Sequence, residues 1–306
     1  MKKNFCLKKT LALIMSAALS GLLAVGCGSE AFSAKEDITI VSREDGSGTR
    51  GAFVELFGIE EKDESGEKVD RTTTDAQTTN NTSVMMTTVS GDMYAIGYIS
   101  LGSLDDSLVK ALKIDGVDAT AENIDGVEPT VDNVKNETYK IARPFNIAYK
   151  EDALSDAAKD FINYIMSSEG QQIITDNGYI SIDGAQPYSG NNTGGKIVIA
   201  GSSSVSPVME KLAEAYKKIN ADADIEIQTN DSTTGMTSAA DGVCDIGMAS
   251  RELKDNELES GLTPLVIAMD GIAVIVNNDN PASDISSDEI KSIYIGEIGN
   301  WESIIK

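Results

Sequence analysis

Two stretches of the chain, residues 38–57 (ITIVSREDGSGTRGAFVELF) and 196–216 (KIVIAGSSSVSPVMEKLAEAY), share one design. In each, an apolar strand runs into a loop of small polar residues, and an amphipathic helix follows at once. A strand that hands over directly to a helix must pack that helix back onto its own sheet. Two copies far apart in sequence therefore confine the chain to layered α/β architectures. The design has a chemical consequence as well. A helix start presents unpaired N–H groups and the positive end of its dipole, and Gly, Ser and Thr let an anion come close to them. A third loop of this kind, 230–242 (NDSTTGMTSAADG), again lies between a strand pattern and a short helix.

The remaining periodicities extend the same alternation. Strands are expected at 38–41, 95–101, 139–142 and 196–200, around Ile225 and Ile227, and at 265–267. Helical spacing is clearest in 153–166, through Leu154, Ala157, Ala158, Phe161, Ile162 and Ile165, and in 205–218, through Val208, Met209, Leu212, Ala213 and Tyr216. Ser286 and Glu289 have the spacing of a capping box that opens a further helix. Residues 183–195 have the composition of a surface linker. A ten-residue duplication within 115–134 is read as an inserted surface loop.

The first 27 residues differ in kind. Lys2, Lys3, Lys8 and Lys9 precede an apolar run from Leu11 to Val25, too short for a comfortable membrane span, which ends at Cys27. The ending LLAVGC resembles a bacterial lipobox, with Ala24 where leucine is commoner, and makes Cys27 the expected lipid anchor. An ordinary cleaved signal peptide is the alternative, and either reading implies export. Residues 28–35 would then be a tether. Cys6 leaves with the leader, and Cys244 reads as a small buried hydrophobe.

What is missing narrows the chemistry. The chain has no histidine, which excludes Ser-His-Asp and Cys-His catalysis and histidine-held metals. No metal site and no cofactor is expected. The formal charge is −24, and removal of the four leader lysines takes it to about −28, so nucleic acid is not an expected partner. A small anion remains possible, provided that its site is built from hydrogen-bond donors rather than bulk charge. Gly46, Gly48 and Gly51 match a dinucleotide fingerprint, with Asp70 at the spacing of a ribose contact. Ser42, Arg43, Glu44 and Asp45 intervene between strand and first glycine, however, and put two acids where a pyrophosphate would pass.

Seven segments together, SREDGSGTRGAF, YAIGYISLG, YKIARPFNIAYK, GSSSVSPVMEKLAEAYKK, DIGMASREL, MDGIAVIVNNDNP and GEIGNWESI, resemble the phosphate-binding lipoproteins of ABC transporters, the PstS type. The resemblance covers nearly all of the chain after residue 36. It implies an α/β, two-lobed periplasmic-binding-protein-like fold (type II), with two mixed-sheet lobes joined by hinge strands. The implied lobes are 36–144 with 279–306, and 145–278; the crossings are 142–148 and 273–279. Carried over position by position, the implied phosphate ligands are Arg43, Ser47, Gly48 and Thr49 from one lobe and Ser203, Ser204 and Ser232 from the other. Asp45 falls where a family acid pairs with the arginine. Ser250 stands where some members place an aspartate that accepts the proton of hydrogen phosphate, so sulfate exclusion is expected to be weaker. The implied partners are inorganic phosphate and the ABC permease in the membrane. The order of the segments is rotated relative to a usual member, as in a circular permutation joined through 183–195. The alternatives are an exported hydrolase with a carboxylate-held metal, or a sensor or adhesin that lacks transport.

Overall fold

The computed structural model describes residues 31–116 and 141–305. The leader with Cys27 and most of the 115–134 duplication lie outside these residues. Ala34–Lys306 forms one compact unit. Its strands in chain order are β1 (Thr39–Arg43), β2 (Glu60–Lys62), β3 (Lys68–Asp70), β4 (Gln77–Thr79), β5 (Ala95–Ser100), β6 (Val109–Ala111), β7 (Lys113–Ile114), β8 (Ala142–Tyr149), β9 (Gly195–Ser202), β10 (Ala223–Asn230), β11 (Ile246–Ala249), β12 (Thr263–Asn277) and β13 (Asp284–Ile285). The helices are α1 (Gly48–Leu56), α2 (Thr82–Ser90), α3 (Asp156–Ile165), α4 (Ser168–Asp176), α5 (Ser206–Ile219), α6 (Ser232–Ala240), α7 (Asp255–Glu259) and α8 (Ser287–Tyr294).

The main sheet is a single mixed path of the order β10-β9-β11-β8-β12-β5-β1-β4, with β6 also paired to β12. The expected pair of sheets is thus one continuous sheet with two halves, because the long strand β12 belongs to both. Its residues through Gly271 pair with β8, and from Ile272 onward they pair with β5 and β6. The change of partner falls ahead of 273–279, where the sequence reading placed the crossing. Residues 273–277 are buried within the half that carries β5 and β6.

Each half has its own core. Beside β8 to β11, Phe145, Phe161, Ile197, Leu212, Tyr216 and Met248 form one apolar cluster. On the other side Val41, Met85, Val89, Ile99, Ala273 and Ile275 form a second. Phe53 of α1 stacks on Tyr98 of β5 at a centroid distance of 3.9 Å, which seats the helix against its sheet.

Side-chain caps set several helix starts. Ser286 and Glu289 form the expected capping box on α8. Helix α3 begins at Asp156 rather than at residue 153, since Ser155 accepts from the Ala158 N–H and so sets the first turn. Residues 183–194 of the expected linker are irregular, in keeping with its composition, yet they are tied down. The Asp160 carboxylate accepts hydrogen bonds from the Tyr188 hydroxyl and from the Asn191 and Thr193 N–H groups, and Tyr216 donates to it from α5.

Candidate functional site

The site lies where the loop leaving β1 meets the loops that open α5 and α6. Tyr98 sets the end of β1: its hydroxyl bonds the Ser42 hydroxyl at 2.9 Å and accepts from the Arg43 N–H at 3.1 Å. Arg43 is consequently the last residue of the strand and not a loop residue, and its side chain is almost wholly buried, 2% exposed.

Glu44 accepts from Arg43 through both carboxylate oxygens, Nε to Oε2 and Nη2 to Oε1, each at 2.8 Å. The Arg43 Nη2 also donates to the Ser203 hydroxyl at 3.0 Å, and Nη1 is buried with no hydrogen-bond partner. This corrects the expectation for Asp45, which is 95% exposed and pairs with Arg50 Nη1 at 2.8 Å. Glutamate, one methylene longer than aspartate, folds back from the adjacent position to meet the guanidinium edge in the forked geometry that Arg and carboxylate favour. Arg50 also donates to the Arg43 carbonyl at 2.8 Å and to Asp70 at 2.8 Å. Burial works against the Arg50 charge, but Asp70 and Asp45 hold its pKa above the ordinary value. Asp70 is therefore engaged in bracing the β1 loop, which removes the ribose contact from the dinucleotide reading.

The other seven expected residues are all buried. Thr49 and Ser204 bring their hydroxyls within 2.9 Å of each other across the two halves. Gly48 approaches the third loop so closely that an added Cβ would lie 2.5 Å from the Ser232 Oγ and 2.8 Å from the Ser250 Oγ. Only glycine permits that contact. Ser232 accepts from the Ser250 N–H at 3.1 Å, and Ser202 donates to the Ser250 hydroxyl at 3.0 Å. Ser47 belongs to the cluster, but its hydroxyl caps α1 by accepting from the Arg50 N–H at 3.3 Å. Further cross-half bonds run from the Thr233 N–H and hydroxyl to the Gly46 carbonyl, each at 3.2 Å. Arg251 steadies that loop by donating to Thr233 at 3.2 Å and to Glu257 through both terminal nitrogens. Burial would raise the Glu257 carboxyl, yet Arg251 holds it below its ordinary value.

Glu44, Ser202 and Thr82 are additions to the expected set. The Thr82 hydroxyl lies 3.5 Å from that of Ser203. Its signal was present in the sequence: Asn80 and Asn81 form a fourth polar loop between a strand and a helix, with Asn81 as the side-chain cap of α2. The arrangement offers hydroxyls from both halves and an unpartnered guanidinium Nη1, a donor set suited to a tetrahedral oxyanion. Among the described residues no group of three or more Cys, Asp and Glu side chains is placed to hold a metal ion.

Known proteins match the chain over most of its length. A family model described as "PBP superfamily domain" matches residues 8–169 and 186–304. Phosphate-binding protein PstS 2 of Streptococcus agalactiae is 53% identical over 308 residues, covering 100% of both chains. Phosphate-binding protein PstS 2 of Streptococcus pneumoniae is 44% identical over 301 residues, 97% of this chain and 99% of that one. A crystal structure of a phosphate ABC transporter phosphate-binding protein from S. pneumoniae superimposes with a TM-score of 0.66 at 45% identity, covering 88% of this chain and 99% of that chain. A fold built around a shared crossing strand, and full-length identity at these levels, lead to one assignment: the chain belongs to the PstS-type family of phosphate-binding proteins.

Proposed function

We propose that the protein binds inorganic phosphate between the two halves of its sheet and delivers it to an ABC-type importer on the outer face of the cell membrane. The observation that carries the reading is the buried Arg43 guanidinium, whose Nη1 has no partner beside hydroxyls from both halves. Arg43 supplies a charge-assisted contact, and Thr49, Ser203, Ser204, Ser232 and Ser250 supply neutral donors. The Gly48 backbone brings the two sides together, and Ser47 holds the first turn of α1. Because each half contributes only part of the donor set, the full set exists only when both halves face the ligand.

Serine at position 250 can donate or accept, so it suits the proton of hydrogen phosphate without rejecting fully ionised sulfate as sharply as a carboxylate would. Cys27 is read as the lipid anchor, with 28–35 as the tether to the membrane. The rotated segment order is read as a circular permutation joined through 183–195.

Calorimetric titration with phosphate and with sulfate tests the reading. Phosphate is expected to bind with micromolar or tighter affinity and sulfate measurably but more weakly. Absence of any phosphate heat at micromolar protein would refute it. A phosphatase assay with added magnesium or zinc is expected to show no turnover.

A further inference from the structure

The place where β12 changes partner holds a second buried arginine. Arg143 on β8 and Asp270 on β12 are register partners, and Arg143 Nη2 donates to Asp270 Oδ2 at 3.2 Å. Both side chains are shut off from solvent, at 2% and 0% exposure. The other Asp270 oxygen accepts from the Gly102 N–H at 3.3 Å, so the carboxylate also touches the half that carries Arg43. The Nε and Nη1 of Arg143 are buried and unpartnered, as is Arg43 Nη1.

The charge of Arg43 acts on Arg143. Burial lowers the Arg143 pKa and the positive charge of Arg43 lowers it further, against Asp270 and Tyr179. Burial pushes the Asp270 carboxyl up to about 6, although Arg143, the Ser100 hydroxyl and the Gly102 N–H all favour its ionised form. The charged or titratable groups that act on Asp270 are Arg143 from β8 and Tyr179 from the turn after α4, and Arg43 from β1 acts in turn on Arg143.

We infer that Arg143 is a second, non-contacting charge of the anion site and Asp270 its removable counter-ion, so that the protein takes up a proton at Asp270 when the anion binds. The inference rests on the phosphate reading of the Arg43 site. A dianion beside Arg43 adds negative charge to a region of low dielectric that already holds a buried carboxylate. It disfavours the ionised carboxylate and raises the Asp270 pKa further. The proton comes from solvent and ends on an Asp270 oxygen, and no bond to the ligand forms or breaks. By reciprocity, affinity for a given ionic form of phosphate rises as pH falls through about 6. Arg143 is thus a positioning residue and not a ligand.

The test is calorimetry of the full protein with inorganic phosphate at about pH 6.5, in buffers of different ionisation heat, for wild type and Asp270→Asn. Proton exchange by phosphate itself is common to both proteins, so the difference isolates Asp270. If binding raises the carboxyl by one unit, wild type takes up about half a proton more than the variant. Asp270→Asn is also expected to bind phosphate several-fold tighter at neutral pH, with the gap closing towards about pH 5. A residue with only a structural role would weaken binding on substitution and leave the proton count unchanged. Infrared difference spectra of wild type, with and without phosphate, provide a readout that needs no variant: a carboxylic-acid C=O band should appear on binding. Equal proton counts, or no such band, with phosphate bound overturn the inference. Wild type that does not bind phosphate at all overturns the reading of the Arg43 site and the inference with it.

Discussion

The two strand–loop–helix units look alike in sequence and use their hydroxyls differently. In the loop after β1 the Ser47 hydroxyl caps α1 and Arg50 braces the turn through the Arg43 carbonyl, so the serine hydroxyl at this helix start is engaged locally. In the 201–206 loop no side chain caps α5; its helix begins behind Val205, with Pro207 in the first turn. The hydroxyls of Ser203 and Ser204 instead reach across to Arg43 and Thr49. The third loop resembles the first in this respect, because the Asp231 carboxylate caps α6 and places an acid at that helix start. A loop of small polar residues before a helix is therefore not one kind of anion cradle. Its chemistry depends on whether the helix end is already capped by a side chain.

That contrast can be broken by substitution. The largest expected effect is at Arg43, whose replacement by Ala should weaken phosphate binding by about 3 kcal/mol or more, on the order of a hundredfold, because a desolvated anion loses its charge partner. Calorimetry checks it, and near-normal affinity would remove Arg43 from the site. A smaller pair of effects sharpens the comparison. Ser204→Ala should cost about 1 kcal/mol of phosphate affinity with little change in Tm. Ser47→Ala should cost about 1 kcal/mol of folding stability through the lost cap and change affinity less. Thermal melts and titrations of both variants, if they gave the reverse assignment, would dissolve the distinction between the two loops.

Much of this was legible in the sequence. The period-2 and period-3.6 patterns mark β9, α3 and α5 because each buries one face against a sheet. The buried cluster of Arg43, Ser47, Gly48, Thr49, Ser203, Ser204, Ser232 and Ser250 follows from the helix-start loops and the family resemblance. Three features escaped. The partner of Arg43 depends on side-chain reach, which separates Glu44 from Asp45 and leaves no trace in composition. The crossing point within β12 was passed over, although Asp270 and Gly271 interrupt the apolar run just where the partner changes. The Arg143–Asp270 pair joins residues 127 positions apart, and only the register of β8 on β12 brings them together.

The account stands on the claim that an acidic protein holds a small dianion between two incomplete sets of donors. The most direct measurement is an experimental structure of the protein crystallised with phosphate. The account predicts one phosphate in hydrogen-bond contact with Arg43 Nη1 and with hydroxyls or N–H groups from both the 47–49 and 203–204 segments. A phosphate bound by one half alone, or bound away from Arg43, would contradict it.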